Sequence, residues 1–314
     1  MELNGIHHVS SIIANAKVNL AFYRNILGLN LVKKTVNQDS PDLYHLFYGD
    51  QQGSPGTELT FFEIPTSVEK VAGTNRISTI SLVVPSDEAL RFWQERFTRF
   101  QVNHQDIEVI DGKRALPFQD PEGHELSLIS ASNNERTGIE TREIPAEHAI
   151  IGLGPATLTV RYLEASALVL TDVLGFTKVN SYQKSGSEYT VFETANAGLD
   201  GQVHLTQNKQ LPLAKEGKGS VHHLAFRVTD AEELKKWVEL LEKEGFQTSG
   251  FVDRYYFQSL YFREPNGILY ELATDGPGFA IDENSDKLGK KLSLPPFLEQ
   301  QRKEIEARLK PLRT

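Results

Sequence analysis

VHHLAFRV (221–228) and SLYFREPNGILYELA (259–273) decide how this chain folds. The first alternates apolar and polar residues as a strand does. The second carries an Asn-Gly turn between two β-like runs. Successive strand side chains point to opposite faces. His222 therefore goes with Leu224, Phe226 and Val228, an apolar face expected under a helix. His223 goes with Val221, Ala225 and Arg227, a face suited to a wet cavity. On the last strand Glu271 sides with Leu269 and Ala273. GIHHVS (5–10) repeats the histidine pair near the N-terminus, and His8 matches His223 position by position. Two imidazoles and one carboxylate are the ligand set of a non-haem iron(II) site. That reading requires the two ends of the chain to meet.

Working outward, the same unit recurs four times, in the order β-α-β-β-β. Module one (5–65) has the strand HHVSSII, the helix NLAFYRNILGL (19–29), then NLVKKTV, YHLFYGD and TELTFFEI. Module two (76–130) has ISTISLVV, the helix 87–100 with Asp87 as its expected N-cap, and FQDPEGHELSLI. Module three (152–207) has ATLTVRY, the helix SALVLTDVLGF (166–176), SEYTVFET and GQVHLTQ. Module four (219–274) has VHHLAFRV, the helix 231–246 capped by Asp230, and the 259–273 hairpin. The junctions ILGLNLVKK, VLGFTKV and KEGFQTS each end a helix on Gly, which takes the left-handed cap without a Cβ penalty. Modules two and three lack the histidines and carry Ser78 and Ala156 near the matching positions. The expected organisation is an N-terminal domain of two modules (1–132), a linker (133–150), a C-terminal domain of two modules (151–275) and a tail (276–314) ending in a helix over 298–309.

The 314 residues include 33 Lys and Arg against 42 Asp and Glu, a net charge of −9, which argues against a nucleic-acid partner. There is no cysteine, so disulfides, Fe–S clusters and thiol nucleophiles are excluded and a metal must be held by His and carboxylate. No apolar run approaches the roughly 20 residues that span a bilayer, and the N-terminus has no signal-peptide pattern. A cytoplasmic protein without a membrane partner is expected, and a homo-oligomer is compatible with this composition. DENSD (282–286) lacks the Gly and Glu of a calcium loop, and GLG (152–154) lacks the continuation of a dinucleotide fingerprint.

The four copies, with HH on the first strand and PNGILYEL at the last, resemble the vicinal oxygen chelate superfamily of glyoxalases, bleomycin resistance proteins and extradiol dioxygenases. Within it, GIHHVS, FYRNILGLNLVKKTVN (22–37), GSPGTELTFFE (53–63), YFREPNGILYELATDGPGF (261–279) and LGKKLSLPP (288–296) are similar to ring-cleaving dioxygenases of the hydroquinone type. The resemblance implies an α+β fold of two open barrels, with the metal barrel formed by modules one and four. It implies metal ligands at His8, His223 and Glu271. It also implies iron(II), with manganese compatible with the same donors, and a small aromatic diol and O2 as reactants. Tyr261 stands where related enzymes carry an active-site tyrosine.

A dication with one carboxylate leaves a site charge of about +1, which favours a deprotonated phenol; a base is wanted for the second hydroxyl. His45 and Tyr261 are the candidates. Glu58, in TELT (57–60), is similar to the last-strand carboxylate of glyoxalase I. It is read as occupying in module one the place of Glu271, and as a fourth ligand it would make an isomerase-type site. His204 is the same position in module three. The readings left open are a ring-cleaving dioxygenase, a glyoxalase-like isomerase or lyase, and a protein that binds small aromatics or drugs without turnover.

Overall fold

A computed structural model describes residues 1–131, 136–195 and 198–313. Module one comprises β1 (Ile6–Ile13), α1 (Ala16–Leu20, continued by a π-helical segment Ala21–Ile26), β2 (Asn30–Asn37), β3 (Ser40–Gly49) and β4 (Glu58–Glu63). Module two comprises β5 (Arg76–Val84), α2 (Asp87–Arg99), β6 (Glu108–Ile110), β7 (Lys113–Gln119) and β8 (Glu125–Ser130). Module three comprises β9 (Gly152–Val160), α3 (Leu163–Leu168, then a π-helical segment Val169–Val173), β10 (Thr177–Lys184), β11 (Ser187–Glu193) and β12 (Gln202–Gln207). Module four comprises β13 (Val221–Val228), α4 (Ala231–Lys243), β14 (Val252–Asp253), β15 (Phe257–Arg263) and β16 (Leu269–Pro277). The tail ends in a 3-10 turn, Pro296–Gln301, and α5 (Arg302–Arg308), where a single helix over 298–309 was expected.

The modules assemble into two curled mixed sheets of eight strands. One runs β14-β15-β16-β13-β1-β4-β3-β2 and the other β10-β11-β12-β9-β5-β8-β7-β6. Modules one and four thus share a sheet, as the resemblance implied, and modules two and three share the other. Each sheet takes one module from either half of the chain. Its two first strands pair antiparallel at the centre, β1 with β13 and β5 with β9. Within each module the first strand pairs parallel with the last.

Helix ends follow local chemistry. Ser86, not Asp87, caps α2, accepting from the Ala89 amide at 3.1 Å; Asp87 lies in the first turn, where its charge suits the dipole. Asp230 caps α4 as expected. Helix α1 begins at Ala16, earlier than the apolar spacing suggested, because Asn15 caps the amides of Lys17 and Val18. Both α2 and α4 bury a tryptophan, Trp93 and Trp237, against their sheets. Each contributes about 5 kcal/mol of apolar burial before entropy costs, at ~25 cal/mol/Å² over ~200 Å².

The Asn-Gly turn of module four does more than reverse the chain. Asn266 is buried and bonds the backbone of Tyr162 and the hydroxyl of Ser166, tying module four to module three. The first three residues of the expected linker lie outside the described residues. Its remainder packs through Ile144 and Ala149, and Arg96 bonds Glu143. The tail closes over the first sheet. Lys33, fully buried on β2, holds Asp282 at 2.7 Å, Glu283 at 2.5 Å and the Phe279 carbonyl at 3.0 Å. No helix among the described residues is long and apolar enough to cross a membrane.

Candidate metal centre

The central pairing of β1 with β13 sets Ser10 opposite His223 and His8 opposite Ala225. The parallel pairing of β13 with β16 sets Ala225 beside Glu271. Three side chains from opposite ends of the chain therefore converge. His8 Nε2 lies 3.3 Å from His223 Nε2, and Glu271 Oε2 lies 3.2 Å from the first and 2.8 Å from the second. All three residues are buried. Donors about 2.1 Å from a divalent ion and at right angles stand about 3.0 Å apart, against about 3.4 Å for tetrahedral donors. The observed distances bracket the right-angle value. Oε2 faces both imidazoles yet takes no well-directed hydrogen bond from either, as expected of three lone pairs aimed at one point. Oε1 is held by the Ser259 hydroxyl at 2.6 Å. Burial alone would raise the Glu271 pKa; its contacts to the His8 and His223 imidazoles outweigh it and hold the carboxyl well below the usual range.

The neighbouring histidines orient the pair. His7 Nε2 sits 3.1 Å from the Thr274 carbonyl, which can only accept, so that nitrogen carries the proton. His7 Nδ1 is then a lone pair and accepts from His8 Nδ1–H at 2.9 Å. This leaves the His8 Nε2 lone pair facing Glu271, the tautomer a metal ligand needs. His222 Nδ1 meets His223 Nδ1 at 2.8 Å in the same way. His222 was expected beneath the helix. It is instead half-buried at the cavity edge, against the Phe62 ring, at a register shift where the β1 pairing passes from His223 to Val221 and skips it.

Among the described residues this cluster opens on a cavity of about 310 Å³ that Tyr261 and His45 also line. Burial, and then the neighbouring His8 and His223, hold the His45 imidazole well below its usual pKa, so it is neutral. It lies between the Phe47 and Phe62 rings, and its Nε2 bonds Thr60 Oγ1 at 2.9 Å. Tyr261 has its pKa raised by burial and then by Glu271, so it keeps its phenolic proton. Arg254, which the sequence did not single out, also lines the cavity. Its guanidinium lies over the Tyr261 ring, 5.4 Å from the centroid, and pairs with Asp39 at 3.1 Å. It sits in a turn where Tyr255 takes a left-handed backbone, which leaves no strand pattern to read.

A family model for the glyoxalase/bleomycin resistance protein/dioxygenase superfamily matches residues 5–128 and 152–272. The chain belongs to this superfamily. It is 52% identical over 315 residues to MhqA of Bacillus subtilis (strain 168), which bears the name of a ring-cleaving dioxygenase; the match covers 99% of this chain and 100% of that one. It is 28% identical over 312 residues to the chlorohydroquinone/hydroquinone 1,2-dioxygenase of Sphingobium indicum, covering 95% and 93%. A Bacillus subtilis crystal structure named for a dioxygenase superposes with a TM-score of 0.92 at 34% identity, covering 99% and 98%.

Within this superfamily fold, strand register corrects the reading of Glu58. Glu271 pairs with the residue two beyond His223, whereas Glu58 pairs with His8 itself. The residue two beyond His8 is Ser10, and its partner is Thr60. Thr60 thus occupies the place related to that of Glu271, and its hydroxyl bonds Ser10 and His45. Glu58 lies on the other side of His8, grouped with His7 and His8. It is buried, its pKa is raised well above the usual value by burial and then by Asp50, and Oε2 has no partner, so it is a neutral carboxyl. His204 lies in the other barrel.

Proposed function

We propose that this chain is a ring-cleaving dioxygenase whose metal, iron(II), is held by His8, His223 and Glu271, and whose substrate is a hydroquinone or catechol. The observation that carries the reading is the three-donor cluster with Thr60, a hydroxyl already engaged by His45, where a four-ligand isomerase needs a carboxylate. Three protein donors in a right-angle arrangement leave positions for both a diphenol and dioxygen. The metal would bring the two reactants together and pass electrons between them. Manganese suits the same donors. In the net reaction one ring carbon–carbon bond breaks and both oxygen atoms remain in the product.

The chain's own groups do the rest. Neutral His45 is the base for a substrate hydroxyl. Tyr261 donates its proton as a hydrogen bond, oriented by Arg254, whose charge favours a phenolate in the cavity. Phe47, Phe62 and Phe257 form an apolar wall that excludes water. The relatives named for ring-cleaving and hydroquinone dioxygenases support the same substrate class.

The test is oxygen uptake with 1,4-hydroquinone after anaerobic iron loading. Uptake is expected in the wild type, and loss of both metal and uptake in His223→Ala. Thr60→Glu, which supplies the fourth carboxylate, should keep the metal and lower uptake at least tenfold. Turnover of a glyoxalase-type substrate with zinc or nickel, without oxygen consumption, would overturn the proposal.

A further inference from the structure

The barrel of modules two and three has its own cavity, about 350 Å³, as large as the one around the His–His–Glu cluster. Pockets of this size hold small organic ligands. Strand register places Thr79 where His8 stands in the other barrel and Pro155 where His223 stands, each one residue from the expected Ser78 and Ala156. Ser127 replaces Thr60, and His204, as expected, stands in the place of Glu271; with Thr79 and Pro155 in place of the two histidines, no metal-ligating cluster forms there among the described residues.

The lining has a definite chemistry. The hydroxyls of Thr79, Ser81 and Thr157 face the space without a hydrogen bond to another described residue. One wall is Tyr182, stacked on Tyr189 with ring centroids 5.0 Å apart and planes 10° from parallel. His204, buried beside it, faces the Gln202 amide oxygen through Nε2 at 3.4 Å, so Nδ1 accepts the Tyr182 hydroxyl proton at 3.0 Å. The Tyr182 oxygen is left as an acceptor. Phe118, Leu126 and Ile129 supply apolar surface. Lys184, at the rim, is held by Glu108 at 2.6 Å, so among the described residues lining the cavity no lysine or arginine is free to meet an anion. Exposed Asn103 and Gln105 mark its mouth.

From this lining we propose that the metal-free barrel is a second, non-catalytic binding site for an uncharged diphenol, its hydroxyls met by Thr79, Ser81 and Thr157 and its ring by Tyr182. A carboxylate-bearing ring is excluded, because burying its charge without a cation is costly. The lining defines the ligand class; the choice of hydroquinone as probe rests on the dioxygenase reading.

The experiment is calorimetric titration of the full-length, metal-loaded protein with 1,4-hydroquinone under strict exclusion of oxygen. The wild type should take up two equivalents. Thr157→Phe, which fills the second cavity, should take up one and keep wild-type oxygen-uptake kinetics. Tyr182→Phe, which keeps the ring and loses the hydroxyl, should weaken one equivalent about tenfold and leave the other unchanged. Benzoate should not occupy the second site. A single equivalent in the wild type, two equivalents of unchanged affinity in both variants, or benzoate binding as tightly as hydroquinone would overturn the proposal. If oxygen uptake fails while two equivalents still bind, the dioxygenase reading falls and the second site stands.

Discussion

His7→Phe tests whether the histidine doublets work as doublets. His7 is buried with its ring 5.5 Å from Phe257, so phenylalanine fills the same space and the change isolates the hydrogen bonds. Two are lost, 3.1 Å to the Thr274 carbonyl and 2.9 Å to His8 Nδ1. Both partners stay buried, at a cost of about 1–3 kcal/mol each in folding stability. His8 then loses the contact that keeps its proton on Nδ1, and its ring is free to rotate or change tautomer. Removing such an orienting partner costs about 10- to 100-fold in metal affinity, or about 1.4–2.8 kcal/mol. The assay is anaerobic competition for iron against a fluorescent chelator, paired with urea denaturation of the metal-free protein. Loss of stability with metal affinity unchanged would refute the orienting role and leave His7 as core packing only.

Two further outcomes are expected. Glu58→Gln should leave metal content and stability near wild type, because the buried carboxyl is already neutral and the amide has its shape; loss of metal would restore Glu58 as a ligand. His204 is held at a pKa of about 4, chiefly by burial, with Asp111 opposing and Lys113 assisting. Its folded value lies below its unfolded one, so the unfolded chain takes up the proton first. Stability is therefore full above about pH 6.5 and falls by roughly 3 kcal/mol towards pH 4 from this residue. Urea denaturation at the two ends of that range should show a smaller loss in His204→Gln than in the wild type; equal losses would contradict the assignment.

Much of the site was legible because its signals are local. The doublets at 7–8 and 222–223 and the Glu271 strand stand out against a four-fold repeat, and strand alternation separates His8 and His223 from their neighbours. Other features were not legible. Glu58 and Thr60 both lie on β4, and which one corresponds to Glu271 depends on the pairing of β4 with β1. Arg254 reaches the cavity from an irregular turn. His222 sits at a register shift in the β1–β13 pairing, which alternation alone does not describe. Ser86 and Asp87 are both good capping residues, and only the backbone conformation distinguishes them.

Residue order determined the repeated unit, the cysteine-free donor set and the two faces of each strand, because periodicity and side-chain chemistry act over a few residues. Tertiary structure decided that module one meets module four across the β1–β13 seam, that three donors close to within 3.3 Å, and that Thr60 rather than a carboxylate completes the ring around them. Those outcomes depend on hydrogen-bond register between strands some 215 residues apart, and a slip of two residues would preserve every local pattern while exchanging the groups that face the cavity.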